Sequence, residues 1–383
     1  MNVRRGWAVV AVVVTALAAA LPLSSATASV PTATAQSGAR ILGTLGGYGS
    51  FALDINTLGQ ITGYAVARDD SNRAFRWTAS GGMQDLGARI GNPGRAIDID
   101  EFGRVALTAL TADEAEHAFR WTPSGGMQDL GTVGGDSSWA AAINNRGQVA
   151  GGSLPCCGAE RAFLWTASGG MRDLGTLGGG MSRAVGINDL GQVAGDSERA
   201  DGAIRAFRWA PSGGMRDLGT LGGDTSSVVA INALGQITGT AETADGSVHA
   251  FLWSASGGMR DLGEFVPTAI NARGQVAGIA TEGKTERAVL WTASGGVQDL
   301  GGFGGTISRA FGMNERGHVV GQSETPDGYP HAFRWTASTG MTDLHDASLG
   351  DMSGAEAINI RGQVVGAYDV MATGAVDAFL WSP

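Results

Sequence analysis

The side chains best suited to chemistry stand at one recurring position. Counting five residues back from the turn that opens with Asn in most copies of a repeat gives Phe51, Arg95, Trp139, Arg183, Ser227, Val266, Arg309 and Gly354. Three guanidiniums and two aromatic rings at one mouth would suit an acidic sugar or another anion, through forked Arg contacts and stacking on Trp139. The competing use of Phe51, Arg95, Trp139, Arg183 and Arg309 is packing between neighbouring units or pairing with nearby acids.

Other reactive groups are sparse. Cys156 and Cys157 are the two cysteines, adjacent in one loop. Export would permit a vicinal disulfide, although so tight a ring is strained, and free or intermolecular thiols are the alternatives. His117, His249, His318, His331 and His345 fall into no His-Glu-x-x-His pattern or close ligand spacing, so no metal, no cofactor and no catalytic residue is assigned. Loop carboxylates such as Asp113, Glu114 and Glu160 keep a carbohydrate-active hydrolase or lyase as an alternative, because acid and base can come from distant repeats. Asp201, Asp245 and Asp327 each precede glycine and read as turn formers rather than calcium ligands.

These positions gain meaning only through the repeat that carries them. Trp77, Trp121, Trp165, Trp209, Trp253, Trp291, Trp335 and Trp381 mark eight units, 44 residues apart except for one spacing of 38 and one of 46. Within a unit, β-prone runs alternate with strong turn signals, for example at residues 140–144, 148–153, 161–166 and 171–174. Four short strands per unit predict a propeller blade, here called strands a to d from the axis outward. The Asn-x-x-Gly turn between strands a and b combines an Asn opener with a glycine for positive φ. If Thr78 faces Met83 across the Ala-Ser-Gly-Gly turn, then Arg76 faces Asp85, and Arg120, Arg208 and Arg334 face Asp129, Asp217 and Asp343. The same register sets Trp165, Trp209 and Trp253 beside Arg172, Arg216 and Arg260.

The ends choose between ring and open coil. Residues 40–47 read as a strand d without its strand c, and residues 378–381 as a strand c without its strand d. Pairing them, with Trp381 facing Arg40 and Leu380 facing Ile41, closes a ring and removes two free edges. The expectation is an all-β, eight-bladed β-propeller of four-stranded blades over residues 40–383, with a β-solenoid as the alternative.

Residues 1–28, with Arg4 and Arg5 before an apolar run and Ala26-Thr27-Ala28 at its end, read as a secretory signal peptide, followed by a flexible leader at 29–39. No stable membrane span is expected after its removal, and a monomer is expected. Gly is 63 of 383 residues, Lys284 is the sole lysine, and the formal charge is −10, which disfavours nucleic-acid and anionic-membrane partners.

The segments His117-Ala118-Phe119, His249-Ala250-Phe251 and His331-Ala332-Phe333, each followed by Trp and then Gly-Gly-Met or Thr-Gly-Met before Asp-Leu, resemble the HAF-type repeats of bacterial extracellular proteins. Arg73, Arg161, Arg205, Arg287 and Asp377 depart from the first residue of that tripeptide, and Val289 from its Phe. The resemblance implies secretion or surface display and a repeated β architecture. The length variation falls in the b to c and d to a connections, on one face of the ring, where binding surfaces are commonly built. The reading is a secreted, non-enzymatic binding propeller for an extracellular glycan or surface protein, with the enzyme and a purely architectural repeat protein as alternatives.

Overall fold

The computed structural model describes residues 38–89, 98–156, 158–370 and 374–383. Residues 1–28, read from the sequence as a signal peptide, and residues 29–37 lie outside the described residues. Within them, every regular element is a strand, arranged as six separate four-stranded sheets and one eight-stranded sheet. The larger sheet is two blades joined by a single parallel bridge, Gly49 to Val376, so the protein is an eight-bladed β-propeller. A full blade runs Gly178–Ile187, Val193–Arg199, Ile204–Ala210 and Gly214–Asp217, paired in that order.

Each blade is pressed between two others, so its middle strands are apolar on both faces. Val193, Phe207 and Trp209 pack backward onto Ala150, Ala162 and Leu164 of the preceding blade, and the pattern repeats around the ring. Full burial of such a large side chain stabilises by about 1.5–3 kcal/mol. The innermost strand carries a bulge, as between Ala184 and Gly186, that drives the Arg183 carbonyl onto Gly195. A Cβ at Gly195 would lie 2.0 Å from that oxygen, which is why strand b keeps glycine there.

The c to d register differs by one residue from expectation. Thr78 pairs with Gly82, Trp77 with Met83, Arg76 with Gln84 and Phe75 with Asp85. Gly82 sits at φ 65° and belongs to the first pair, so the loop is three residues long, held by Gly81 N–H donating to Thr78 Oγ1 at 3.0 Å. A one-residue slip exchanges faces, and the charge pairs change accordingly. Asp85 takes Arg73, Asp173 takes Arg161, and Asp129, Asp261 and Asp343 take His117, His249 and His331 at 2.9 Å. In these five blades the residue before Ala-Phe is thus the partner of the following Asp, whereas Asp217 faces Arg199 instead.

The guanidinium and indole contacts run between blades rather than within one. Arg172, Arg216 and Arg260 stand over Trp209, Trp253 and Trp291 of the next blade, 4.9 to 5.8 Å from the ring centroids. Arg76, Arg120, Arg208 and Arg334 cover the next blade's tryptophan in the same way.

The Asn-x-x-Gly turn also does more than reverse the chain. Asn144 Oδ1 accepts from the N–H groups of Arg146 and Gln148, both at 3.0 Å, while its Nδ2 donates to the carbonyl of Asn188 in the next blade at 2.9 Å. Asn188, Asn232, Asn271 and Asn314 hand the same bond onward to Asn232, Asn271, Asn314 and Asn359. Ring closure at the ends is as expected in kind, with the same one-residue shift. Ala39 pairs with Trp381, Arg40 with Leu380 and Ile41 with Phe379. The closing strand begins at Ala39, inside the stretch read as leader.

Candidate functional site

The antiparallel order puts the a to b and c to d turns on one face and the longer connections on the other. On the face with longer connections, Phe51 stacks on Tyr64 with ring centroids 4.8 Å apart. The Tyr64 phenol is pushed up to about 12 by burial and then by the Glu356 carboxylate. Trp139 lies over Gly152, where a Cβ would come within 2.6 Å of the indole.

Arg183 donates twice to the buried Asp196, from Nη2 at 2.9 Å and from Nε at 3.2 Å. Asp196 also accepts from Ser227 Oγ and Val228 N–H of the next blade. Burial raises the Asp196 carboxyl against the opposing pull of Arg183 and these donors. Arg309 is paired with Glu286, with Nη2 to Oε1 at 3.1 Å. Two of the three arginines therefore already hold acids, and Arg95 lies outside the described residues. Cys156 is exposed in its loop, whereas Cys157, and with it the vicinal disulfide, lies outside the described residues. Asp113, Asp245 and Asp327 each accept from a threonine hydroxyl two residues earlier, as turn formers do. No group of three or more His, Cys, Asp or Glu among the described residues is placed to hold a metal.

Two acids that sequence reasoning passed over meet at the innermost strands. Asp54 accepts from Ile55 N–H at 2.8 Å and from Ile99 N–H of the next blade at 3.1 Å. Asp98 accepts from Ile143 N–H of the blade after that at 2.8 Å. Burial and the Asp54 charge push Asp98 far above the usual carboxylate range, and the two side chains hydrogen-bond each other. The other blades carry Ala142, Gly186, Ala230, Ala269, Gly312 and Ala357 there, so the signal was a departure from a small residue. Burial alone pushes Glu356 up to about 7.

The opposite face holds the feature that uniform turn lengths concealed. The second residue after each Asn or Asp is the tip of its turn. These tips read Leu58, Phe102, Arg146, Leu190, Leu234, Arg273, Arg316 and Arg361 around the ring. Their N–H groups donate to the turn's own Asn or Asp, which fixes the backbone and leaves the side chain free. Leu58, Phe102, Leu190 and Leu234 are 58, 65, 51 and 68% exposed. The four arginine tips are exposed as well. Inside this rim lies a depression of about 230 Å³ floored by Ile99, Ile143, Ile187 and Ile231. Exposed apolar residues of the other face, Tyr48, Leu154, Val248 and Tyr329, occupy non-equivalent positions.

No family model matches the sequence, and no curated protein does. Solved structures do. The β-propeller domain of the trilobed protease from Pyrococcus furiosus is similar at a TM-score of 0.52 and 10% identity, over 78% of this chain and 98% of that one. A puromycin-hydrolyzing peptidase from Mycobacterium tuberculosis gives 0.52 and 14%, over 86% of this chain. This chain spans 61% of that peptidase. A lectin from Burkholderia pseudomallei gives 0.46 and 12%, over 77% of this chain and 98% of that one. At such identities the likeness is one of fold.

Proposed function

We propose that this chain is an exported, non-enzymatic interaction propeller that docks a partner protein on the face of its uniform turns. The observation that carries this reading is the ring of turn tips. Blades one, two, four and five present Leu58, Phe102, Leu190 and Leu234 to solvent, and blades six, seven and eight present Arg273, Arg316 and Arg361. Nothing in the turn requires leucine at its tip, because the tip is fixed by its main chain. A set of large apolar side chains at equivalent exposed positions is the mark of an interaction surface. Against a formal charge of −10, the run of arginines selects a partner that sets carboxylates beside its apolar anchors. The resemblance to extracellular repeats supports export and surface location as part of the same proposal.

The hydrolase or lyase reading has less behind it. Asp54 and Asp98 touch through a hydrogen bond, closer than the ~5 Å of the tightest glycosidase pairs, and both carboxylates are engaged by main-chain N–H groups of the channel wall.

The test is fluorescence anisotropy with two labelled peptides, one alternating Leu and Phe with Glu, the other carrying Lys in place of Glu. The acidic peptide is expected to bind the wild type and to weaken at least about tenfold in L190D/L234D and in R273E/R316E/R361E, and with added salt. Equal binding by all variants would overturn the reading. So would an oligosaccharide-induced thermal shift that is lost in F51A/W139A and kept in the tip variants, which would return the function to the other face.

A further inference from the structure

The second blade departs from the repeat at three neighbouring positions that meet an arginine of its strand c. Asp100 and Arg104 stand where the other blades carry Asn and Gln, or Asn and His318, and Phe102 is the one aromatic tip. Between that tip and the c to d turn lies a cavity of about 470 Å³ lined by Phe102, Arg104, Arg120, Thr122, Pro123 and Ser124.

Its two guanidiniums are held in place, and only that of Arg104 has a carboxylate partner. Arg104 bonds Asp100 through Nε, donates from Nη2 to Asn145 O at 2.8 Å, and lies 5.0 Å from the Phe102 ring centroid. Arg120 donates from Nη1 to Gly147 O at 3.2 Å and from Nη2 to Gln128 Oε1 at 3.0 Å, with its guanidinium 4.5 Å from the Trp165 ring centroid. Among the described residues no carboxylate pairs with Arg120, and its Nε is buried without an acceptor. Burial and the charge of Arg104 both pull the Arg120 pKa down. Two cations thus face one anion, Asp100, beside an aromatic ring that is mostly open to solvent. No other blade repeats the pair. Arg76, Arg208 and Arg334 stand in blades with Gln60, Gln192 and His318, and the remaining blades carry Leu164, Leu252, Leu290 and Leu380 in place of Arg120.

We infer that this cavity binds a small organic carboxylate borne on a flat apolar ring. The carboxylate takes the N–H groups of Arg104 and Arg120 left over from their protein bonds, the charge-assisted contact for which guanidinium geometry is suited. The ring lies against Phe102 and Pro123, and the Thr122 and Ser124 hydroxyls supply further donors. The inference stands whether or not the rest of the turn face engages a protein.

The repeat itself supplies substitutions already present at the equivalent positions of other blades. Arg120→Leu installs the residue of blades three, five, six and eight, D100N/R104Q restores the common Asn and Gln pair, and Phe102→Leu copies three other tips. The full chain is titrated with 4-fluorobenzoate and followed by fluorine NMR, with inorganic phosphate as a second probe. Saturable broadening is expected in the wild type, at least about tenfold weaker in R120L and in D100N/R104Q, matching the loss of one charged hydrogen-bonding partner. F102L should weaken 4-fluorobenzoate and leave phosphate unchanged. Non-saturating binding, or binding of equal strength in the wild type and R120L, would overturn the assignment, as would a benzoate affinity indifferent to F102L.

Discussion

Asn359 donates from Nδ2 to the main-chain oxygen of Asn56, 3.0 Å away and 303 residues distant along the chain. That bond closes a circuit in which each blade's turn is pinned to the next. At one station the donor is missing, because Asp100 has no side-chain N–H. Arg104 bridges the gap from the position where six other blades hold Gln and one holds His318, reaching the carbonyl of Asn145, one residue beyond the equivalent acceptor.

Truncating one station should therefore cost more than a lone hydrogen bond. Asn232→Ala removes a donor to Asn271 O and the acceptor of Leu234 and Gln236 N–H groups, for an expected loss of about 2–4 kcal/mol in urea unfolding. Asp100→Asn alone should cost about 1–2 kcal/mol by stranding Arg104, and D100N/R104Q should recover most of it. A double variant no more stable than D100N would refute the compensation.

The Glu356 carboxyl gives stability a pH dependence. Its folded value is raised to about 7 by burial, so its contribution is fully present below the ordinary glutamate value and is lost as pH rises through about 7. The wild type should lose roughly 2 kcal/mol relative to Glu356→Gln between pH 5 and pH 8. Parallel urea midpoints for the two proteins over that range would contradict it.

Arg183 should behave as a structural partner. Arg183→Ala leaves Asp196 buried with its cation gone and is expected to destabilise by about 2–3 kcal/mol, while R183A/D196N recovers part of the loss. Thermal melts unchanged in R183A would instead free this guanidinium for a ligand.

The histidine before Ala-Phe should be replaceable. His249 holds Asp261 at an exposed site, and Arg73 and Arg161 do the same in their blades. His249→Arg should change stability by no more than about 0.5 kcal/mol, and His249→Ala should cost under about 1 kcal/mol. A chemical-denaturation loss above 2 kcal/mol for H249R would show that the imidazole has another task.

The architecture was readable because it is written eight times: tryptophan spacing gives the blades, and the unmatched ends give the closure. Register was not, since Ala79, Ser80, Gly81 and Gly82 look like one loop until Gly82 is seen to belong to the first strand pair. The axial acids escaped because a single Asp54 or Asp98 has meaning only against the Ala and Gly of other copies. The turn tips escaped for a different reason. Length varies in the connections of the other face, whereas Leu58, Phe102, Leu190 and Leu234 vary a side chain on a backbone that does not change.

The pairing of Ala39–Ile41 with Phe379–Trp381 also imposes an order in time. Sequence-adjacent strands can zip as soon as both have emerged, but the eighth blade lacks its outermost strand until partners some 340 residues apart meet. Contacts of such separation form slowly. The seam therefore rests on the longest-range strand pairing in the ring, and until it forms the last strand of the eighth blade keeps an open edge.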